Sequence, residues 1–153
     1  MSDLFRRLLS QRYQQLKELD EHIDGYTREV QLHSCQSEAC QRLQTAPGFG
    51  PIIASAFHGA MGNAEAFRRG RDVSASLGIV PRQHSSGGKE QLLGISKRGD
   101  TYLCSLLIHG ARSVVRWAQR KDDKLSRWIN TIRAERGFNK AVVAMANKMA
   151  WIG

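Results

Sequence analysis

The sequence predicts a mainly α-helical protein, with a long N-terminal coiled-coil-type helix followed by a compact helical domain that carries a small β-hairpin. Three observations predict it. Residues 2–33 hold a seven-residue apolar repeat. Most of the remaining segments show helical apolar spacing between recognisable caps. One stretch, "VPRQHSSGGKEQLLGISKRG" from Val80 to Gly99, has no apolar period long enough for a helix and reads as two short strands around a glycine pair. The chain divides accordingly into residues 1–40, an amphipathic helix and linker, and residues 41–153, the helical domain.

In the first segment Leu9, Leu16, Ile23 and Val30 recur every seven residues, with Phe5, Leu19 and Tyr26 completing the seam and Arg12 and His33 as its polar exceptions. A helix of this length reaches roughly 45 Å. One apolar stripe on an isolated helix is poorly stable in water, so the stripe needs cover. Self-association, packing on another domain and folding back onto the chain's own core all supply it. Gly25 weakens the middle and marks a possible bend. Next comes "TAPGFGPIIASAFHGAMG". Pro47-Gly48-Phe49-Gly50 is a turn, and Pro51 suits the first position of a helix running through Ile52, Ile53, Ala56 and Phe57 to Gly59. A glycine turn between two helices lets backbone N–H groups approach a DNA phosphate, which makes Gly48 and Gly50 candidate contacts; the same turn also merely connects helices.

Asn63 is expected to cap a short helix, "AEAFRRG", that Gly70 ends, and Asp72 to cap another, "VSASLG", that Gly78 ends. The hairpin is expected to pair Val80–Gln83 with Gln91–Ile95 and to hold Ser85, Ser86, Gly87 and Gly88 at its tip. Asp100 then caps a helix with Leu103, Leu106, Leu107, Gly110, Val114 and Trp117 on one face and Arg112, Arg116 and Arg120 on another. Asp122 and Asp123 stand at the positive end of "DDKLSRWINTIRAERG", and Gly137 follows it. A last helix covers "NKAVVAMANKMAWIG", where Ala141, Ala144 and Ala146 allow close packing. Trp117, Trp128 and Trp151 read as core residues rather than base-stacking platforms.

Charge is unevenly spread. The net charge is +9, made of −1 over residues 1–46, +2 over 47–96 and +8 over 97–153. A cationic last third is the footprint expected for a polyanion. The opening residues are amphipathic and charged, so they form neither a secretory leader nor a membrane span, and three cysteines without a leader predict a cytoplasmic protein without disulfides. His33, Cys35 and Cys40 lie close in sequence but lack the four-ligand spacing of a zinc site, so no metal is expected.

Around the glycine pair, Arg82, Lys89, Lys97 and Arg98 supply charge for phosphate oxygens, and His84 is a possible proton acceptor. A serine hydroxyl is a weak nucleophile unless a base, a metal or strong charge stabilisation assists it. The stretch matches neither a P-loop nor a G-x-S-x-G elbow. The residues alone describe a phosphate-binding loop with an available hydroxyl.

Three segments carry a family resemblance: "TAPGFGPIIASAF", "AFRRGRDVSASLGIVPRQHSSGGKEQLLGISKRGDTYLCSLLIHGARSVVRW" and "FNKAVVAMANKMAW". Across about residues 40–152 the chain resembles the C-terminal half of bacterial insertion-sequence transposases of the IS110 and IS1111 group. The resemblance implies that Ser86, directly before Gly87-Gly88, attacks a DNA phosphodiester and forms a transient phosphoserine link. It also implies an RNA-guided recombinase in which DNA pairs with a structured RNA encoded by the element, and a multimer in which one subunit's acidic domain works with another's serine domain. In that group Mg²⁺ belongs to an N-terminal RNase-H-like domain, for which residues 1–40 leave no room. No cofactor is therefore expected in this chain, which is expected to be a fragment that is not active alone. Two functions remain in view: the serine-bearing domain of a DNA recombinase, and a nucleic-acid-binding and oligomerisation module without chemistry. In both, the expected partners are DNA, guide RNA and further copies or intact transposase, held through the N-terminal helix, with no membrane.

Overall fold

A computed structural model describes residues 2–62, 67–86, 89–96 and 98–152, with 81–93 described by their backbone alone. The heptad segment forms one unbroken helix, α1 (Asp3–Gln36), about 50 Å long at roughly 1.5 Å per residue. Gly25 does not interrupt it. Almost all of it stands in solvent. Phe5, Leu9, Leu16, Leu19, Ile23 and Tyr26 are all exposed, and Val30 is half-buried. Only the foot of the helix is embedded, where Ser34 is fully buried and accepts a hydrogen bond from Gln44 Nε2 at 2.8 Å.

Ser37 breaks the chain direction by leaving the helical region, and its hydroxyl then accepts from the Cys40 N–H at 3.3 Å to start α2 (Glu38–Gln44). After the Pro47–Gly50 turn, α3 (Pro51–Met61) begins with proline at its first position and runs two residues past Gly59. Phe49 and Phe57 meet edge to face, 5.5 Å between ring centroids, and both are buried.

Residues 67–69 are not helical, and Gly70 opens α4 (Gly70–Ser76) rather than closing a helix. Asn63, the expected cap, lies outside the described residues. The reason for glycine at 70 is contact. A Cβ there would lie 2.9 Å from the Trp151 backbone, so the missing side chain lets the chain pass close to the end of the molecule. Asp72 is likewise not the cap but the third helical residue, where its carboxylate accepts from the Arg69 N–H at 3.2 Å. Gly78 takes a positive φ of 68° and ends the turn after α4, as expected.

Two antiparallel strands follow, β1 (Pro81–Ser86) and β2 (Lys89–Ile95). The Asp100 carboxylate accepts from the Leu103 N–H at 2.9 Å and starts α5 (Thr101–Trp117), which a short 3₁₀ turn, Ala118–Arg120, extends. Asp123 caps α6 (Lys124–Arg136), Gly137 ends it at φ 86°, and α7 (Phe138–Ile152) closes the fold. The hydroxyl of Ser126, and after it the Ser126 N–H, hold the Asp123 carboxyl below the ordinary aspartate range.

The core sits between α5 and α7, with α3, α4 and α6 around them. Leu103, Leu107, Ala111 and Val115 of α5 face Val142, Met145, Ala146 and Met149 of α7, all buried. Small residues bring these backbones close. A Cβ on Gly110 would lie 2.3 Å from the Gly48 carbonyl oxygen, so α5 carries the Pro47–Gly50 turn directly on its surface.

The three tryptophans overturn the expectation that they are core. Trp117 is 55% exposed, Trp128 37% and Trp151 52%. Core volume is taken instead by leucine, methionine and alanine, and the indoles lie outside it, each beneath a cation: Arg120 over Trp117 at 4.5 Å, Lys148 over Trp128 at 5.0 Å and Arg71 over Trp151 at 6.0 Å.

Candidate nucleic-acid interface

The hairpin register is specific. Ser86 pairs with Lys89, Ser85 with Glu90, His84 with Gln91 and Gln83 with Leu92, and an irregularity separates the last of these from Pro81 opposite Ile95. The strands are therefore longer than the sequence reading allowed, and Ser85 and Ser86 are the last residues of β1 rather than part of the tip. Only Gly87 and Gly88 stand between the strands, and they lie outside the described residues, as does Lys97. Arg82 and Lys89 are strand residues, and Arg98 is exposed beyond the root of β2.

That root is fixed to the helical core. The Ser96 N–H donates to the Val80 carbonyl at 2.9 Å, and its hydroxyl donates to the Gly78 carbonyl at 3.2 Å. Gly99 presses so closely on the end of α4 that a Cβ would lie 2.1 Å from the Ser76 carbonyl oxygen. The α4 helix is held in turn by α7, where the Ser74 hydroxyl reaches the Asn147 carbonyl at 3.4 Å.

The second candidate element is the turn between α2 and α3. Gly48 adopts φ 96°, a conformation that favours glycine, and a Cβ there would lie 2.8 Å from the Met149 thioether. Its glycine is thus required by packing on α5 and α7. Gly50 differs: nothing lies within 4 Å of where its Cβ would be, and it caps α3 in extended backbone.

Arg112, Arg116 and Arg120 are all exposed on one side of α5 and its extension. They follow the helix away from the hairpin. Arg112 is eleven residues beyond Thr101, about 16 Å along the axis, and Arg120 is farther still. The arginine row therefore runs away from the root of the hairpin. Gly110 and Val114, which carry the Pro47–Gly50 turn, each stand two residues from Arg112 and so on the far side of the helix from it. Along the chain the basic candidates thus fall into two groups, one in and just after the hairpin and one along the later part of α5 and its extension.

Sequence reasoning missed the paired tryptophans. For Trp117 a signal was present, since Arg120 follows at the three-residue spacing that places two side chains on one helix face. The Trp128–Lys148 and Arg71–Trp151 pairs join distant parts of the chain, and no local pattern announces them.

Among the described residues no three His, Cys, Asp or Glu side chains gather where they could hold a metal ion. Cys35 is exposed and Cys40 buried, and neither is in a disulfide. No described helix is long and apolar enough to cross a membrane.

Known proteins share this sequence closely. The sequence model for Transposase IS116/IS110/IS902 matches residues 40–126, more than half of the chain and inclusive of the turn, the hairpin and the arginine row. A "Transposase for insertion sequence element IS1111A" from Coxiella burnetii is 46% identical over 145 residues, covering 95% of this chain and 40% of the relative. A "Probable family 20 transposase" from Pseudomonas aeruginosa is 48% identical over 152 residues, covering 99% of this chain and 44% of the relative. A "Transposase for insertion sequence element IS1328" from Yersinia enterocolitica is 40% identical over 146 residues, 95% of this chain and 44% of the relative. The chain thus spans less than half the length of these relatives. With the turn, the hairpin and the arginine row all inside the matched span, this chain belongs to the IS116/IS110/IS902 transposase family.

Proposed function

We propose that this chain binds DNA and supplies Ser86 as the nucleophile for strand cleavage and rejoining in transposition. The Ser86 oxygen forms a new bond to phosphorus while one strand's bridging oxygen leaves as a free hydroxyl end, with the serine proton passing to that end through solvent or a base. The number of phosphate ester bonds does not change, so a hydroxyl end can later displace the serine without an added energy source. The observation that carries this reading is the register that sets Ser86 across from Lys89 on either side of the Gly87-Gly88 pair. A lysine paired with the serine in the backbone register brings a residue type suited to phosphate oxygens to the same end of the hairpin. The +8 charge of residues 97–153 supports contact with the flanking backbone.

The same charge suits the second partner, a structured RNA encoded by the element that pairs with the DNA. The exposed seam of α1 supports assembly, with two α1 helices covering one another and bringing the serine zone of one subunit to the remaining chemistry of another. A module that binds and oligomerises without chemistry shares all of these features except the use of Ser86.

The test follows from that difference. Mixed with a full-length family transposase and cognate DNA, the chain is expected to form a covalent protein–DNA adduct, resolved by denaturing electrophoresis. Ser86→Ala should abolish the adduct while leaving duplex binding intact. Absence of an adduct with the unmodified chain leaves the non-catalytic reading. Binding that ignores salt would remove both, because contacts to phosphates release counterions and weaken steeply as salt rises.

A further inference from the structure

We infer that the groove between the Pro47–Gly48 turn and the C-terminal end of α5 is a stacking subsite for an unpaired base of a DNA strand. This rests on the DNA-binding reading above and adds to it a site and a form of ligand. The groove has a volume of about 550 Å³, in the range of small-ligand sites, and Pro47, Gly48, Val114, Trp117, Lys121 and Leu125 line it. Its walls mix apolar side chains with Ser113, Lys121, Asp123 and Ser126, and one of them is an indole that is 55% exposed.

An exposed indole beside such a groove costs solvation that a purely structural residue would avoid by turning inward. The ring is also braced. Arg120 lies 4.5 Å from its centroid, a cation–π contact that limits its rotation and leaves a stacking partner less ordering to do.

Charge decides the class of occupant. Arg116 and Arg120 flank Trp117 on the helix, and Lys121 lines the groove itself. The one acid of the lining is Asp123, and both of its oxygens are occupied, one by the Ser126 N–H at 3.0 Å and the other by the Ser126 hydroxyl at 2.7 Å. The groove therefore offers an anionic ligand an exposed aromatic ring, one face of which lies under Arg120, together with the Lys121 cation of its lining. A nucleotide has both halves, a planar base and a phosphate. Its base must be unpaired, because a duplex keeps base faces inside its own stack. DNA is the source that the DNA-binding reading above requires, and oligouridylate in the test separates it from RNA.

The experiment uses the whole chain with Trp128→Phe and Trp151→Phe, so that fluorescence reports Trp117 alone. The probes are oligothymidylate of about 15 nucleotides, a blunt DNA duplex and oligouridylate of the same length. Oligothymidylate should quench the fluorescence. In gel-shift titrations, which need no tryptophan, Trp117→Ala should weaken its binding about tenfold, and Trp117→Phe should recover most of the loss. Duplex affinity should not change, and circular dichroism melting of Trp117→Ala should match the parent, since the side chain is outside the core. The proposal is overturned if oligothymidylate gives no quenching, if Trp117→Ala weakens duplex and single strand equally, or if oligouridylate binds more tightly than oligothymidylate. Loss of all nucleic-acid binding by the unmodified chain would instead remove the DNA-binding reading itself.

Discussion

The first and last helices are both amphipathic in sequence, yet they meet opposite fates. In α1 the apolar residues are large, and those of its seam are exposed or only half-buried. In α7 they are mostly small or flexible, and Ala141, Val142, Met145, Ala146, Met149 and Ala150 are all buried. The difference shows what an apolar period does and does not encode. It says that one face of a helix needs cover. The sizes along that face say what kind of cover: alanine and methionine allow a neighbouring backbone to come near, as Gly48 and Gly110 do to Met149, whereas leucine at seven-residue spacing suits another helix of the same sort.

The largest expected effect sharpens this contrast on the α7 side. Met149→Ala removes the thioether that fills the space between Gly48 and Gly110, and should cost about 2–5 kcal/mol in urea unfolding followed by circular dichroism. A loss well under that range would mean that the Pro47–Gly50 turn does not depend on α7. On the α1 side, Leu16→Glu with Ile23→Glu should change the stability of the helical core by less than about 0.5 kcal/mol, as expected for surface positions. The same variant should sediment as a monomer at concentrations where the parent chain associates. If it unfolds the core, α1 is no independent arm and the contrast collapses.

The smallest effect concerns helix starts. Ser2 makes no capping hydrogen bond at α1, whereas Asp123 makes two at α6. Because the folded-state pKa of Asp123 is lowered, the stability it contributes is present above the ordinary aspartate pKa and is lost as pH falls through the lowered value. Thermal melts across that acidic window should therefore show a shallower pH dependence for Asp123→Ala than for the parent. An identical slope would mean that the cap is not used.

Local chemistry made much of this fold legible. The caps at Asp100 and Asp123, the stop at Gly137 and the proline start of α3 are signals confined to one turn of chain, and each element stands where its signal places it. The errors arise where distant parts meet. Gly70 looks like a helix stop because glycine usually is one, but here it admits the Trp151 backbone, eighty-one residues later in the chain. Trp117 has the spacing of a core residue on α5, yet the face it shares with Val114 turns out to border a groove instead of a neighbour. Ser85 and Ser86 read as loop residues from sequence but end a strand in the structure, because register depends on cross-strand pairing that no single strand displays. Of the candidate site, the residue types and their cationic company could be read directly. How far apart the structure sets them could not, because it depends on the hairpin root meeting the start of α5 while the arginines lie further along that helix.

The anchoring of the hairpin has one more consequence. Ser96 and Gly99 join its base to the end of α4, and Ser74 joins α4 to α7. The direction in which the two strands project is thus set by a chain of rigid supports that ends in the Ala and Met packing of the last helix. Damage to that packing would leave every residue near the serine intact and still swing its bearing, as a loosened footing tilts a mast.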